Sequence, residues 1–220
     1  MTLEEIDRAL APHGLAAVGA FHPGPQDGAP DGVATLVLVG AGPQGLWDAF
    51  SRCPEAADGA ADPLDRWSAR VLGTVAQETG AEALFPFGGP PWLPFGRWAA
   101  AAEGNRPSPV VIPVSPNRGL WASYRGALGL RARLPLPDRP TIDPCAGCPA
   151  PCLTACPVSA FAEGRYDVPA CIAHVTGPEG TPCRGGCLVR LACPVGTPPP
   201  EAQRRFHMAA FVAAQAQRRN

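Results

Sequence analysis

The chain has 220 residues and a formal charge of −1, from 18 basic side chains, all arginine, and 19 acidic ones. That balance supplies no field to gather nucleic acid or an anionic membrane surface, and no run reaches the ~20 apolar residues of a membrane-spanning helix. An apolar share of 46% excludes a disordered chain, while 29 prolines and 25 glycines imply many loops and short elements.

The first segment, MTLEEIDRAL, is acidic and amphipathic rather than basic and then apolar, so a cytoplasmic protein is expected. Thr2 with Glu5 forms a capping box, and Leu3, Ile6 and Leu10 share one helical face. Leu15 to Phe21 and Val33 to Gly40 read as strands. The second is a continuous apolar run, as expected of a strand covered on both faces. A short helix is predicted over Gly45 to Arg52. The clearest helix opens at Asp62-Pro63, an N-cap followed by proline, and closes at Gly80 with Leu64, Trp67, Val71 and Val75 as its buried stripe. ALFPF (83–87) and PVVIPVS (109–115) are predicted strands, with a helix from Arg97 to Glu103 between them. RLPLPDRPTIDP (133–144) reads as a proline-rich linker. A terminal helix is predicted from Glu201 to Gln217, with Phe206, Ala210 and Ala213 on one face.

Eight of the nine cysteines crowd into residues 145–193. The first four read C-x2-C-x3-C-x3-C-P and the last three C-x3-C-x5-C-P. Eight thiolates are the complement of two [4Fe–4S] clusters, and two-cluster ferredoxins close each run with Cys-Pro while lending the fourth cysteine to the other cluster. On that crossover, Cys145, Cys148, Cys152 and Cys193 serve cluster 1, and Cys156, Cys171, Cys183 and Cys187 serve cluster 2. Zinc knuckles give no reason for two Cys-Pro closures, and an odd cysteine count without a secretory leader disfavours disulfides. Cys53, isolated before Pro54, reads as a partly buried thiol. His13, His22, His174 and His207 share no ligand spacing and read as ordinary histidines, although His174 lies three residues past Cys171.

The segment 140–198, including YDVPACIAHV (166–175), resembles the ferredoxin-like domain of epoxyqueuosine reductases and reductive dehalogenases. The upstream pieces VATLVLVG, DPLDRW and VVIPVSPNRGLWASYRGALGLRARLPLP are similar to the cobalamin-handling, nitroreductase-like fold and to the cobalamin-C type of processing protein. The resemblance implies an α+β chain: a nitroreductase-like (cobalamin-C-like) α/β domain over 1–138, a two-cluster ferredoxin-like domain over 139–198 and a helical tail over 199–220. It departs from those families at Ser115-Pro116, where they often have His-Pro. It departs again at Gly88 and Gly89, where the epoxyqueuosine reductases place an acidic proton donor, which argues against epoxide reduction.

FGGPPWLPFGRW (87–98) offers flat apolar walls and a basic residue. Trp92, Phe95 and Arg97 from this loop, with Arg118, Trp121, Tyr124 and Arg125 from the next hairpin, are the candidate cofactor-binding residues. The competing reading is a proline-rich loop whose aromatics cap the core. Taken together, the sequence predicts an iron–sulfur electron-transfer protein whose two [4Fe–4S] clusters relay single electrons to an acceptor at or docked on the N-terminal domain. The alternative is a corrinoid (cobalamin)-binding reductase or processing protein, with FMN as a further cofactor candidate although no dinucleotide-type glycine loop is present. The expected partners are a redox donor or acceptor protein and a corrinoid, with neither nucleic acid nor membrane.

Overall fold

In a computed structural model of the chain, residues 1–43, 45–138 and 142–217 are described. They form a mixed α+β structure packed as two compact units that are interleaved in sequence: Met1–Gly104 with Ser123–Thr141, and Asn105–Ala122 with Ile142–Asn220. Among the described residues no helix is long and apolar enough to cross a membrane.

The first unit begins with α1 (Leu3–Leu10). The predicted capping box is formed in full: the Thr2 hydroxyl accepts from the Glu5 N–H at 3.2 Å and the Glu5 carboxylate accepts from the Thr2 N–H at 2.7 Å. Ile6 and Leu10 are fully buried. Strands β1 (Leu15–Phe21) and β2 (Thr35–Ala41) follow, then the one-turn helices α2 (Trp47–Phe50) and α3 (Pro54–Ala57). Helix α4 (Pro63–Thr79) starts and stops where Pro63 and Gly80 predict, burying Trp67, Val71 and Val75, while Leu64 is only half-buried. Strand β3 (Glu82–Leu84), helix α5 (Phe95–Ala102) and strand β4 (Tyr124–Leu130) complete the unit.

The sheet is antiparallel throughout, in the order β1-β2-β4-β3. β2 is interior, which explains its unbroken apolar run: Leu36, Val37, Leu38 and Val39 are all fully buried. Leu36, Leu38 and Ala127 pack on one face against Phe95, Trp98, Ala99 and Ala102 of α5. Gly126, one residue before Ala127, faces the other way, where an added Cβ would lie 2.5 Å from Leu72 of α4. Helices therefore cover both faces of an antiparallel sheet. Burying four such side chains stabilises the unit by about 1.5–3 kcal/mol each.

The structure corrects two predicted elements here. ALFPF contributes only Leu84 and its predecessor to a strand, because Phe85 and Phe87 leave the sheet and stack at 5.0 Å. The linker is not free of the fold at its start. Leu134 is buried, its N–H donates to the Thr35 hydroxyl at 2.9 Å, and its carbonyl lies 2.9 Å from His22 Nε2. Arg139, Pro140 and Thr141 of that linker lie outside the described residues.

The second unit carries α6 (Val168–Thr176), α7 (Thr181–Arg184), α8 (Leu188–Leu191) and α9 (Glu201–Gln217). PVVIPVS is not a strand. Pro109 and Pro113 have no N–H to donate, Val111 takes a left-handed φ of 55°, and only isolated bridges form, Arg106 with Val114 and Ser115 with Gly119. Its valines still reach the core, with Val110 and Val114 buried against Leu120, Phe161 and Val189. The buried face of α9 is also rotated from the expected one. Met208 is buried with Phe211 and Val212 packed beside it, whereas Ala210 and Ala213 are exposed.

Candidate functional site

The cysteine-bearing chain makes a series of tight turns. Asp143 accepts the Cys145 N–H at 2.9 Å, the Cys145 carbonyl accepts the Cys148 N–H at 3.1 Å, and Ala150 accepts from Leu153 at 3.0 Å. Left-handed residues at Gly147, Ala150 and Ser159 reverse the chain between successive cysteines. Cys171 rides on α6, whose first turn is capped by the Asp167 carboxylate accepting the Ala170 N–H at 2.9 Å. Cys183 lies on α7, and Cys187 immediately precedes α8.

These turns sort the thiols into two pockets within the second unit. The first, with a cavity of about 120 Å³, is walled by Cys145, Cys148, Cys152 and Cys193 together with Val114 and Leu120. The second has a cavity of only about 20 Å³, room for about one water. It is walled by Cys156, Cys171, Cys183 and Cys187, with His174 of α6 and Met208 of α9. No cysteine borders both. Its narrowness has a plain cause: Met208 and Phe161 are buried side chains that occupy the rim.

The first pocket also needs the Ser115–Gly119 turn. The buried Ser115 hydroxyl accepts the N–H groups of Asn117 and Arg118 at 3.2 and 3.1 Å, which shapes the turn. Gly119 then has φ 55°, and a Cβ there would lie 2.0 Å from the Val195 carbonyl oxygen and 3.1 Å from Cys193 Sγ. Only glycine lets Cys193 come in so close.

Burial pushes the thiols of Cys145, Cys152, Cys171 and Cys183 above their ordinary range, and neighbouring cysteines add to the shift. Two donors reach sulfurs of the second pocket, and the one from Tyr166 opposes the rise at Cys171. The Ala160 N–H donates to Cys156 Sγ at 3.3 Å, and the Tyr166 hydroxyl donates to Cys171. Tyr166 lies flat against Phe161, ring centres 4.4 Å apart, and burial raises its own pKa far above normal.

Among the described residues, no group of three or more His, Cys, Asp or Glu side chains is gathered to hold a metal ion. The sulfurs line two pockets without converging on a common ion position. The expectation of an electron-transfer protein built around two [4Fe–4S] centres is corrected by this finding, since a relay needs assembled centres. Burial that raises the Cys145, Cys152, Cys171 and Cys183 thiols, and the buried Met208 and Phe161 side chains on the wall of the second pocket, are the physical setting of that arrangement.

The seven candidate cofactor-binding residues have separate settings. Within the first unit, Trp92 is 66% exposed, whereas Phe95 is buried against Trp98 with ring centres 4.8 Å apart. Arg97 donates to the Gln26 carbonyl, and the Tyr124 hydroxyl donates to the buried Glu103 carboxylate at 2.5 Å. Arg125 lies 3.6 Å from Asp65, whose carboxyl burial pushes up against the opposing pull of that guanidinium. Phe95, Arg97 and Tyr124 are thus each engaged within the first unit. Arg118 and Trp121 belong to the second unit, with the Arg190 guanidinium 5.7 Å above the Trp121 ring. Cys53 is buried, as expected of an isolated thiol.

Sequence reasoning missed the 105–122 segment as a wall of the first pocket. The available signal was the Asn-Arg-Gly turn directly before an apolar Leu120, which marks a close approach rather than a strand end. Searches against protein-family models, curated proteins and solved structures return no match for this chain.

Proposed function

We propose that residues 105–122 and 142–217 form a binding module for soft inorganic guests, each pocket holding one guest through four cysteine sulfurs. The observation that carries this is the sorting of eight cysteines, distant in sequence, into two walls of four with none shared. Sulfurs that border one cavity without meeting at one point suit a guest broader than a single ion. An iron–sulfur cubane is a thiolate-ligated group of that breadth, and the two Cys-Pro closures are in keeping with it. Bound there, such a group supplies an iron–sulfur core whose properties respond to burial and to N–H donors near its sulfurs.

The chain's own part is to release protons from the cysteines, to hold Cys156 and Cys171 by donors from Ala160 and Tyr166, and to keep water out with Val114, Leu120 and Met208. No role in carrying electrons belongs to this reading. The ferredoxin-like identity of the second unit and the nitroreductase-like identity of the first are part of the same proposal, supported by the cysteine pattern and by a helix-covered antiparallel sheet.

The test is oxygen-free isolation and reconstitution with ferrous iron and sulfide, followed by iron, sulfide, zinc and copper analysis. Cysteine alkylation is then mapped by mass spectrometry. Uptake of a thiophilic metal, with or without sulfide, together with protection of the pocket cysteines from alkylation, is the expected result. A chain that takes up no metal and leaves all eight thiols open to alkylation overturns the proposal.

A further inference from the structure

The second pocket is closed by a helix that brings it no cysteine. Among the described residues, all but one on its wall lie between Cys156 and Val189, on the turns and helices that carry its four sulfurs. The exception is Met208 of α9, which is buried. Met208, Phe211 and Val212 pack in one cluster with Val175, Cys183 and Leu188, beside Cys171 and Cys187. Phe211 also lies nearly parallel to Tyr166, ring centres 6.2 Å apart. The stripe by which α9 holds to the second unit is therefore the roof of the pocket itself.

The opposite side of α9 is exposed at Arg205, Ala209, Ala210, Ala213 and Ala214. Alanine and arginine are strong helix formers, which lets the helix move as one body. The joint before it, TPPP (197–200), contains three consecutive prolines, with no N–H to tie the chain to its neighbours. Arg204 fastens the start of the helix, donating to the carbonyls of Gly185 and Pro199 at 3.1 and 2.7 Å. Gln203 Oε1 is buried without a donor, which costs the docked position part of its stability. The first pocket has no such cover. Among the described residues no part of α9 borders it, and its cavity is about 120 Å³ against about 20 Å³.

We infer that α9 is a displaceable cover of the second pocket, with Met208 as the plug that withdraws before a guest enters. The inference rests on the binding-module reading and adds to it an order of filling. The first pocket accepts a guest as it stands, whereas the second, with room for about one water, accepts one only once α9 lifts. Because no cysteine rides on α9, lifting it opens the pocket without disturbing the turns that place the sulfurs. An unbranched methionine, adaptable in shape, suits a plug that has to leave and return.

The experiment uses the full chain in wild type, Met208→Ala and Met208→Leu, reduced and free of metal. Alkylation of each cysteine by iodoacetamide is timed by mass spectrometry. Met208→Ala should speed alkylation of Cys156, Cys171, Cys183 and Cys187 by about tenfold or more, as the packing that seats the cover is lost. Cys145, Cys148, Cys152 and Cys193 should keep the wild-type rate and so report that the unit has folded. Met208→Leu, which refills the space, should stay near wild type. Amide exchange of the wild-type chain needs no variant: residues 201–217 should exchange about tenfold or more faster than Val168–Thr176 of α6. An unchanged rate for the second set in Met208→Ala, equal acceleration of both sets, or α9 amides as slow as those of α6 overturns the cover. With ferrous iron and sulfide then added to the wild-type chain, the first set should be protected before the second, and simultaneous protection overturns the order of filling. Protection of neither set instead overturns the binding module, while the result from the metal-free chain still decides the cover.

Discussion

Replacing Gly119 with alanine tests the architecture of the first pocket most directly. The new methyl would be built 2.0 Å from the Val195 carbonyl oxygen, 2.9 Å from its carbonyl carbon and 3.1 Å from Cys193 Sγ. The first two are backbone atoms, so one of the two chain segments has to move. A left-handed φ of 55° adds about 1–2 kcal/mol for a residue with a Cβ. Forcing packed backbone apart adds about 1–3 kcal/mol more. The sum, about 2–5 kcal/mol, is a large part of the 5–15 kcal/mol typical of a whole domain. Gly147→Ala is the matched control, because φ there is 72° and nothing lies within 4 Å of the added Cβ. Amide hydrogen exchange over 105–122 and 142–217 should speed up far more in Gly119→Ala than in Gly147→Ala. Equal effects in the two variants would refute the close approach of Cys193 to the 115–119 turn.

Two further outcomes follow from the first unit. Gly73 lies inside α4 with nothing within 4 Å of an added Cβ, so Gly73→Ala should stabilise by about 0.8–1 kcal/mol through helix propensity alone, read as a higher denaturant midpoint at unchanged slope. Arg70 holds the Glu55 carboxylate at 2.5 Å and lowers its pKa to about 2, well under its ordinary 4.5. A depressed acid stabilises above its unfolded value and loses that contribution as pH falls from about 4.5 through about 2. Arg70 is half-exposed and screened, so Glu55→Gln should cost under about 1 kcal/mol at pH 7. The gap between variant and wild type should close below pH 2 in pH-dependent unfolding.

Where local chemistry decides a boundary, the chain is readable from its residues. Thr2 and Glu5 cap α1, Pro63 and Gly80 bracket α4, and the unbroken apolar run of β2 announces burial on both faces. Where proline removes donors, patterning misleads. PVVIPVS has the composition of a strand, but Pro109 and Pro113 leave it unable to join a ladder, and its valines are spent on the core beside the cysteines instead. Alanine is likewise ambiguous on a helix, so the packed face of α9 is set by Met208 and Phe211 rather than by Ala210 and Ala213. At the candidate site, the cysteine count and spacing are visible in the sequence, and so is the family of chemistry they suit. The unconverged arrangement of the sulfurs depends on packing that no spacing encodes.

The sheet order has a bearing on how this chain is made and cut. β4 lies between β2 and β3, yet it is reached only after the chain has left the first unit at Gly104 and returned at Ser123. A ribosome that has emitted only the first hundred residues has therefore released two strands whose shared neighbour does not yet exist. Their exposed edges invite pairing with other nascent copies until Tyr124–Leu130 emerges to fill the gap. Expression of the amino-terminal part alone should thus yield sticky material, whereas excising 105–122 and splicing Gly104 to Ser123 would keep the sheet whole.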